Sequence, residues 1–277
     1  DVYQALGLAY IPPEMREDMG EIEAAQSGML PELVEESDVR GVFHIHTDFS
    51  DGSDSVENMV EAARKLGFCY LGISDHSKSA YYAGGLKKDD LFRQWEHIDG
   101  LNEKWEDIHI FKGIESDILP DGSLDYDDDI LRHFDFVIAS IHSNFNLKGD
   151  EQITRVITAM DNPWMTMLGH PTGRLLLSRE GYGIDMKTVI DEAAKRHVII
   201  ELNASPYRFD IDWRHLPYAR SKGVMISINP DAHSTAGLSE VFYGVGIARK
   251  WWQEKKDILN TRTREEVEKV FQNRRRR

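Results

Sequence analysis

Cysteine is almost missing from this sequence: Cys69 stands alone among 277 residues. A single thiol excludes an intrachain disulfide and fits a reducing compartment. Its setting in Gly67-Phe68-Cys69-Tyr70-Leu71 reads as a small buried apolar residue rather than a nucleophile. Long apolar runs are missing too. No stretch approaches the ~20 residues that span a bilayer, and the acidic N-terminus lacks the basic and apolar regions of a signal peptide. A cytoplasmic protein with no membrane partner is expected. Positive charge is also scarce, with 33 Lys and Arg against 48 Asp and Glu and a net charge of −15. That balance excludes a surface that holds nucleic acid by electrostatics alone, because phosphate binding requires clustered cations. The charge is unevenly spread. Residues 1–40 carry ten acids against Arg16 and Arg40, whereas the chain ends on Arg274-Arg275-Arg276-Arg277, and both ends read as solvated surface. The chain opens on Asp1 rather than Met, which leaves open both a piece cut from something longer and a stand-alone protein.

What is present is enough apolar material, 41% of residues, for one large α/β domain. Residues 1–38 read as a linker or docking arm, because Pro12-Pro13, Gly20 and Pro31 break them into short pieces. From residue 39 to 277, short apolar runs alternate with amphipathic stretches. The runs fall at 41–46, 69–74, 108–114, 134–141, 166–169, 198–202 and 224–228. They are rich in Val, Ile, Phe and Leu without clean alternation, as suits parallel strands buried on both faces. Helical patterns lie between them, with a last one near 262–272. Seven strand–helix alternations predict a distorted TIM-like (β/α)7 barrel.

The chemistry gathers at the strand ends. His44 and His46, two residues apart, point one way from a strand, and Asp51 follows a turn at Ser50 and Gly52. Later runs end on His76, Glu115, His142, His170 and Asp231/His233. The C-terminal ends of parallel barrel strands converge on one mouth, so these nine side chains should meet there. Six of eleven histidines occupy such positions, and His97, His109, His133, His197 and His215 read as ordinary surface or packing residues. Six imidazoles and three carboxylates exceed what one or two ions need, and three divalent ions are expected. Mixed nitrogen and oxygen donors without thiolate suit Mn²⁺, Zn²⁺ or Fe²⁺ and disfavour Mg²⁺ and Ca²⁺. Glu115 is the candidate bridge between ions, since a carboxylate offers two oxygens.

These residues resemble the PHP (polymerase and histidinol phosphatase) superfamily of metal-dependent phosphoesterases over about residues 40–252. The motifs are His44/His46/Asp51, Asp75-His76, Glu115, His142, His170 and Asp231/His233. Ala5-Leu6-Gly7-Leu8-Ala9-Tyr10-Ile11-Pro12-Pro13, Leu30-Pro31-Glu32-Leu33-Val34 and Glu201-Leu202-Asn203-Ala204-Ser205-Pro206-Tyr207-Arg208 are similar to the C-terminal region of bacterial family X DNA polymerases. The resemblance implies phosphoester hydrolysis, with the nine residues as metal ligands and catalytic centre. In the polymerase setting it implies 3′→5′ exonuclease or DNA-end processing, with DNA 3′ ends as substrate and a covalently linked polymerase region as partner.

Arg174, Lys78 and Arg208 are candidates to grip phosphate, Asn203 to bind substrate, and Asp75 to orient an imidazole. Two other functions stay open: a phosphomonoesterase of the histidinol phosphatase kind, and a metal-stabilised structural module of a polymerase. An intact ligand set around an open mouth disfavours the second of these.

Overall fold

The structure is a computed structural model and describes residues 2–276. Seven parallel strands, β1 (Gly41–Ile45), β2 (Tyr70–Ile73), β3 (His109–Asp117), β4 (Phe136–Ser140), β5 (Met167–Leu168), β6 (Ile199–Asn203) and β7 (Ile226–Asn229), pair in sequence order. Around and below them lie α1 (Val2–Ala5), α2 (Glu21–Ser27), α3 (Val56–Lys65), α4 (Lys88–Lys104), α5 (Asp128–Leu131), α6 (Gly149–Asp161), α7 (Met186–Arg196), α8 (Leu216–Ser221), α9 (Val241–Lys250) and α10 (Arg264–Arg275). The expected barrel is present, and all seven expected strands form. No helix among the described residues is long and apolar enough to cross a membrane.

The barrel closes imperfectly. β7 and β1 meet only near their C-terminal ends, where His46 N donates to Ala232 O at 2.9 Å and Ala232 N to His44 O at 3.1 Å. Lower down, the buried side chain of Asn260 stands in for the missing ladder. Its Nδ2 donates to Gly41 O and Ile228 O, each at 2.9 Å, and its Oδ1 accepts from Ile228 N at 2.7 Å. Replacing Asn260 with Ala leaves three buried backbone groups unpaired, at about 1–3 kcal/mol for each such group when fully desolvated. Asn260→Ala is therefore expected to lower unfolding stability by roughly 3 kcal/mol in urea titration, and an unchanged midpoint would mean that the seam carries little of the fold.

The N-terminal ends of the strands enclose an aromatic layer. Phe43, Tyr70, Phe111 and Phe136 are buried there, and Phe271 of α10 plugs the opening with its ring 5.7 Å from Phe136. Gly113 makes room for this packing, since a Cβ at that position would lie 2.2 Å from the Phe136 ring. The basic C-terminus is partly structural rather than solvated: Arg274 is buried and donates to Met160 O and Asn162 O, at 2.7 and 2.9 Å. Asp1 and Arg277 lie outside the described residues. Cys69 corrects an expectation, because it is exposed just before β2 instead of buried.

The arm docks on the outside of the barrel, through Ile11, Met15 and Leu33 packed with Trp252, and through Arg249 of α9, which pairs with Glu14 at 2.9 Å and Glu35 at 2.7 Å.

Candidate metal centre

All nine expected ligands converge. Their donor atoms form four overlapping sets, each within 4.8 Å: His46/Asp51/His76/His233, His44/His46/Asp231, His44/Glu115/His170 and His76/Glu115/His142. Glu115 is at the middle. Nitrogens of His170, His76, His44, His142 and His46 approach its carboxylate at 2.9, 3.0, 3.2, 3.2 and 3.6 Å. Ligand atoms about 2.0–2.2 Å from a common ion are separated by about 3.0–3.5 Å in octahedral or tetrahedral geometry, so this spacing fits shared cations.

The orphaned nitrogens argue the same way. Among the described residues, His44 Nε2, His46 Nδ1 and Nε2, His76 Nδ1 and His170 Nδ1 are buried without a hydrogen-bond partner. Buried polar atoms are rarely left so, and three of these, His44 Nε2, His46 Nε2 and His76 Nδ1, face the Glu115 carboxylate, where a shared cation would satisfy both sides.

The backbone bends to build this cluster. Simple alternation on β1 would separate Phe43 from both histidines, yet Phe43 lines the barrel interior. The chain resolves the conflict with a register shift between Val42 and Ile45, and His44 adopts φ +60°. Asp231 likewise has φ +54°. Left-handed backbone at two non-glycine candidate ligands is local strain that the surrounding fold holds in place. The His44 and His46 rings end 5.3 Å apart.

Electrostatics set the protons. Burial opposes ionisation of Glu115 and Asp231, but His142, His44 and His76 around the first, and His44, His46 and Arg208 around the second, hold both carboxyls well below their usual range. Burial also opposes charge on His142, yet Glu115 and a hydrogen bond to Asp117 push its pKa up to about 10. His233, facing Asp51 and Asp231, is raised to about 9. His46, buried and next to His76 and His233, falls to about 3 and stays neutral, as a metal ligand would have to be.

Two carboxylates escaped the sequence reading. Glu201 is fully buried, with Oε1 2.5 Å from His44 Nδ1 and Oε2 accepting from His170 N at 2.6 Å. Asp117 Oδ1 lies 2.5 Å from His142 Nδ1. Each fixes which imidazole nitrogen faces the cluster. A signal was available: Glu201 is the one acid in an apolar strand, and Asp117 is two residues past Glu115 on the same strand face. Glu201→Gln is expected to weaken metal binding about 10- to 100-fold, measured by competition with a chromophoric chelator, with the fold unchanged by circular dichroism.

The expected substrate contacts divide. Arg208 reaches the cluster, with Nε 3.3 Å from Asp231 Oδ2, and its Nη1 is buried without a partner. Arg174 does not fit the phosphate role, because its guanidinium donates to Arg208 O at 2.8 Å, to Asp212 at 2.7 Å and to Phe209 O. It clamps the loop that presents Arg208. Lys78 lies 5.3 Å over the Tyr126 ring, in a surface cleft to which none of the nine contributes. Asn203 is buried and donates to Asp231 Oδ2 and Glu201 Oε2, at 3.1 and 3.2 Å, so it positions carboxylates and is not open to substrate. Asp75 orients no imidazole: it accepts from Thr47 N, Thr47 Oγ1, Ser50 Oγ and Gln94 Nε2 and ties down the loop that carries Asp51.

Comparison with known proteins places this geometry. The family model described as PHP domain matches residues 43–205, which hold seven of the nine clustered side chains. The chain belongs to the PHP family. Members of this family are metal-dependent phosphoesterases, and PHP domains bind several metals. This PHP chain is 44% identical over 268 residues to the DNA polymerase/3′-5′ exonuclease PolX of Bacillus subtilis, an alignment covering 97% of the chain and 47% of PolX. It therefore spans about half the length of that relative. It is 28% identical over 253 residues to a probable phosphatase of Caldanaerobacter subterraneus, covering 84% of this chain and 91% of the phosphatase. In fold it resembles the crystal structure of histidinol phosphate phosphatase from Lactococcus lactis complexed with zinc, L-histidinol and phosphate, with a TM-score of 0.53 and 16% identity over 76% of this chain and 93% of the other.

Proposed function

We propose that this chain is a trinuclear-metal phosphoesterase that hydrolyses DNA phosphodiesters from the 3′ end. The observation that carries the reading is the convergence on Glu115 of five imidazoles, three of which, on His44, His46 and His76, turn a partnerless buried nitrogen to its carboxylate. The choice of DNA is supported by similarity to an exonuclease-bearing polymerase over 97% of the chain. Mn²⁺, Zn²⁺ or Fe²⁺ would be held by the nine ligands and, when bound, would supply Lewis-acid charge and an acidified water. The protein's residues do the rest. Glu115 joins the ligand sets, and Asp231 serves both the cluster and Arg208. Glu201 and Asp117 hold His44 and His142 in orientation. Arg208 Nη1, buried and free, is placed to donate to a non-bridging phosphate oxygen. Three divalent ions against Asp51, Glu115, Asp231, Glu201 and Asp117 leave the centre at about +1, or about +2 with Arg208, a local positive charge that draws a phosphodiester into an otherwise acidic protein.

The test is metal-reconstituted protein with 5′-labelled single-stranded DNA, run beside histidinol phosphate and p-nitrophenyl phosphate. Mn²⁺-dependent ladders shortened from the 3′ end are expected. Brisk hydrolysis of the monoesters with untouched oligonucleotide would replace this reading with the phosphatase one.

A further inference from the structure

We propose that Tyr81 and Tyr82 form a stacking platform for the terminal bases of a single-stranded nucleic acid whose scissile phosphate lies at the metal centre. The inference rests on the nuclease reading above and names how the site selects its substrate. Two adjacent tyrosines are 86% and 72% exposed, although aromatic rings ordinarily contribute to stability by burial. They do not belong to a loose loop. The segment leaves β2 through His76 and returns at Leu86, whose N donates to His76 O at 2.8 Å. Asp125 accepts from Ser79 N and Ser79 Oγ at 2.6 and 2.5 Å, and the tyrosines sit on the helical turn Tyr81–Ala83. Gly85 lets the two limbs close, since a Cβ there would lie 1.9 Å from Ser77 O. The loop is thus rigidly anchored, and what it presents to solvent is two rings.

Their position supplies the function. The Tyr82 ring is 6.1 Å from the candidate ligand His76, and its hydroxyl is within electrostatic reach of Glu115, Asp117, Asp51 and Arg208. A phosphate at the cluster, gripped by Arg208, therefore has an attached nucleoside beside the Tyr82 ring, with exposed Tyr81 next to it on the same turn to meet a further base. Every base has a π-face, so a tyrosine platform accepts any sequence. Only an unpaired base can leave its partner to stack this way, which makes the platform selective for single strands or frayed ends. It also offsets the weak electrostatic hold of a chain with net charge −15.

The experiment compares steady-state hydrolysis of oligothymidylate with the same oligomer bearing abasic residues at its last three positions. In the wild type, loss of the bases is expected to raise KM about tenfold or more with kcat little changed. Tyr82→Ala, and more so Tyr81→Ala/Tyr82→Ala, should raise KM for the base-bearing oligomer to the abasic value, with metal content intact. Tyr82→Phe should retain the wild-type KM, because the ring and not the hydroxyl does the stacking. Equal KM for both oligomers in the wild type, at normal kcat, overturns the platform and leaves the nuclease reading standing. Absence of cleavage of either oligomer by protein holding three ions overturns both, and the missing turnover tells the two failures apart.

Discussion

Glu115→Gln is expected to remove most of the activity and up to two metal ions while the barrel still folds. The substitution keeps the shape of the side chain, so the nearby packing is undisturbed; what goes is one negative charge at the meeting point of five imidazoles. A unit charge about 4 Å from another contributes about 4 kcal/mol at an effective dielectric of about 20, or roughly 10³-fold in an equilibrium constant per unit of cation charge. Two of the four ligand sets contain Glu115, and the other two, built on Asp51 and Asp231, do not. Elemental analysis should accordingly find at least one ion retained, with turnover down about 10³-fold or more. Three ions at wild-type turnover would show that Glu115 is a hydrogen-bond acceptor for the histidines and not a bridge. Asp231→Asn makes the useful comparison, because it touches a different set and also releases Arg208.

The convergence of the candidate ligands was legible because a parallel barrel converts sequence position into spatial position: whatever follows a strand arrives at the same mouth. His44, His76, Glu115, His142, His170 and Asp231 needed nothing more than the strand ends to be brought together. Side chains whose meaning depends on an acceptor distant in sequence were not legible. Arg174 looked like a phosphate grip until Asp212, Phe209 and the Arg208 carbonyl proved to hold it. Asn203 looked like a substrate contact until Asp231 and Glu201 took its amide. The seam was hidden for a different reason. Asn260 lies past the last strand in a segment without a periodic pattern, and its role arises because seven strands leave a gap between β7 and β1. The bulge at His44 was equally hidden, since alternation predicts convergence of the two histidines without revealing that Phe43 must also face inward.

Metal affinity should climb steeply with pH between about 6 and 9, with protons released as the ions enter. In the metal-free protein His142 and His233 have pKa values near 10 and 9, and His44 is also raised, well above its ordinary range, because burial is outweighed by Glu201, Asp231 and Glu115. His142 and His233 therefore carry protons at pH 7, and His44 is shifted in the same direction. A cation has to displace them, and each displaced proton weakens apparent affinity about tenfold for every pH unit below the pKa. His46, near 3, releases none. Calorimetry in buffers of different ionisation enthalpy should register about two or more protons released on loading at pH 7. The stability of the metal-free protein runs the other way. A histidine raised by its carboxylate partners stabilises the fold fully below its unfolded value near 6.5, and that contribution is lost as pH rises through about 9 to 10. Chelated protein should thus lose melting temperature on going alkaline while loaded protein gains protection from tighter ions, so the gap between the two melting curves widens with pH. A constant gap, with no proton release on loading, would mean that the imidazoles are already neutral in the empty cluster and that Glu115 and Asp231 interact with them as acceptors of ordinary hydrogen bonds.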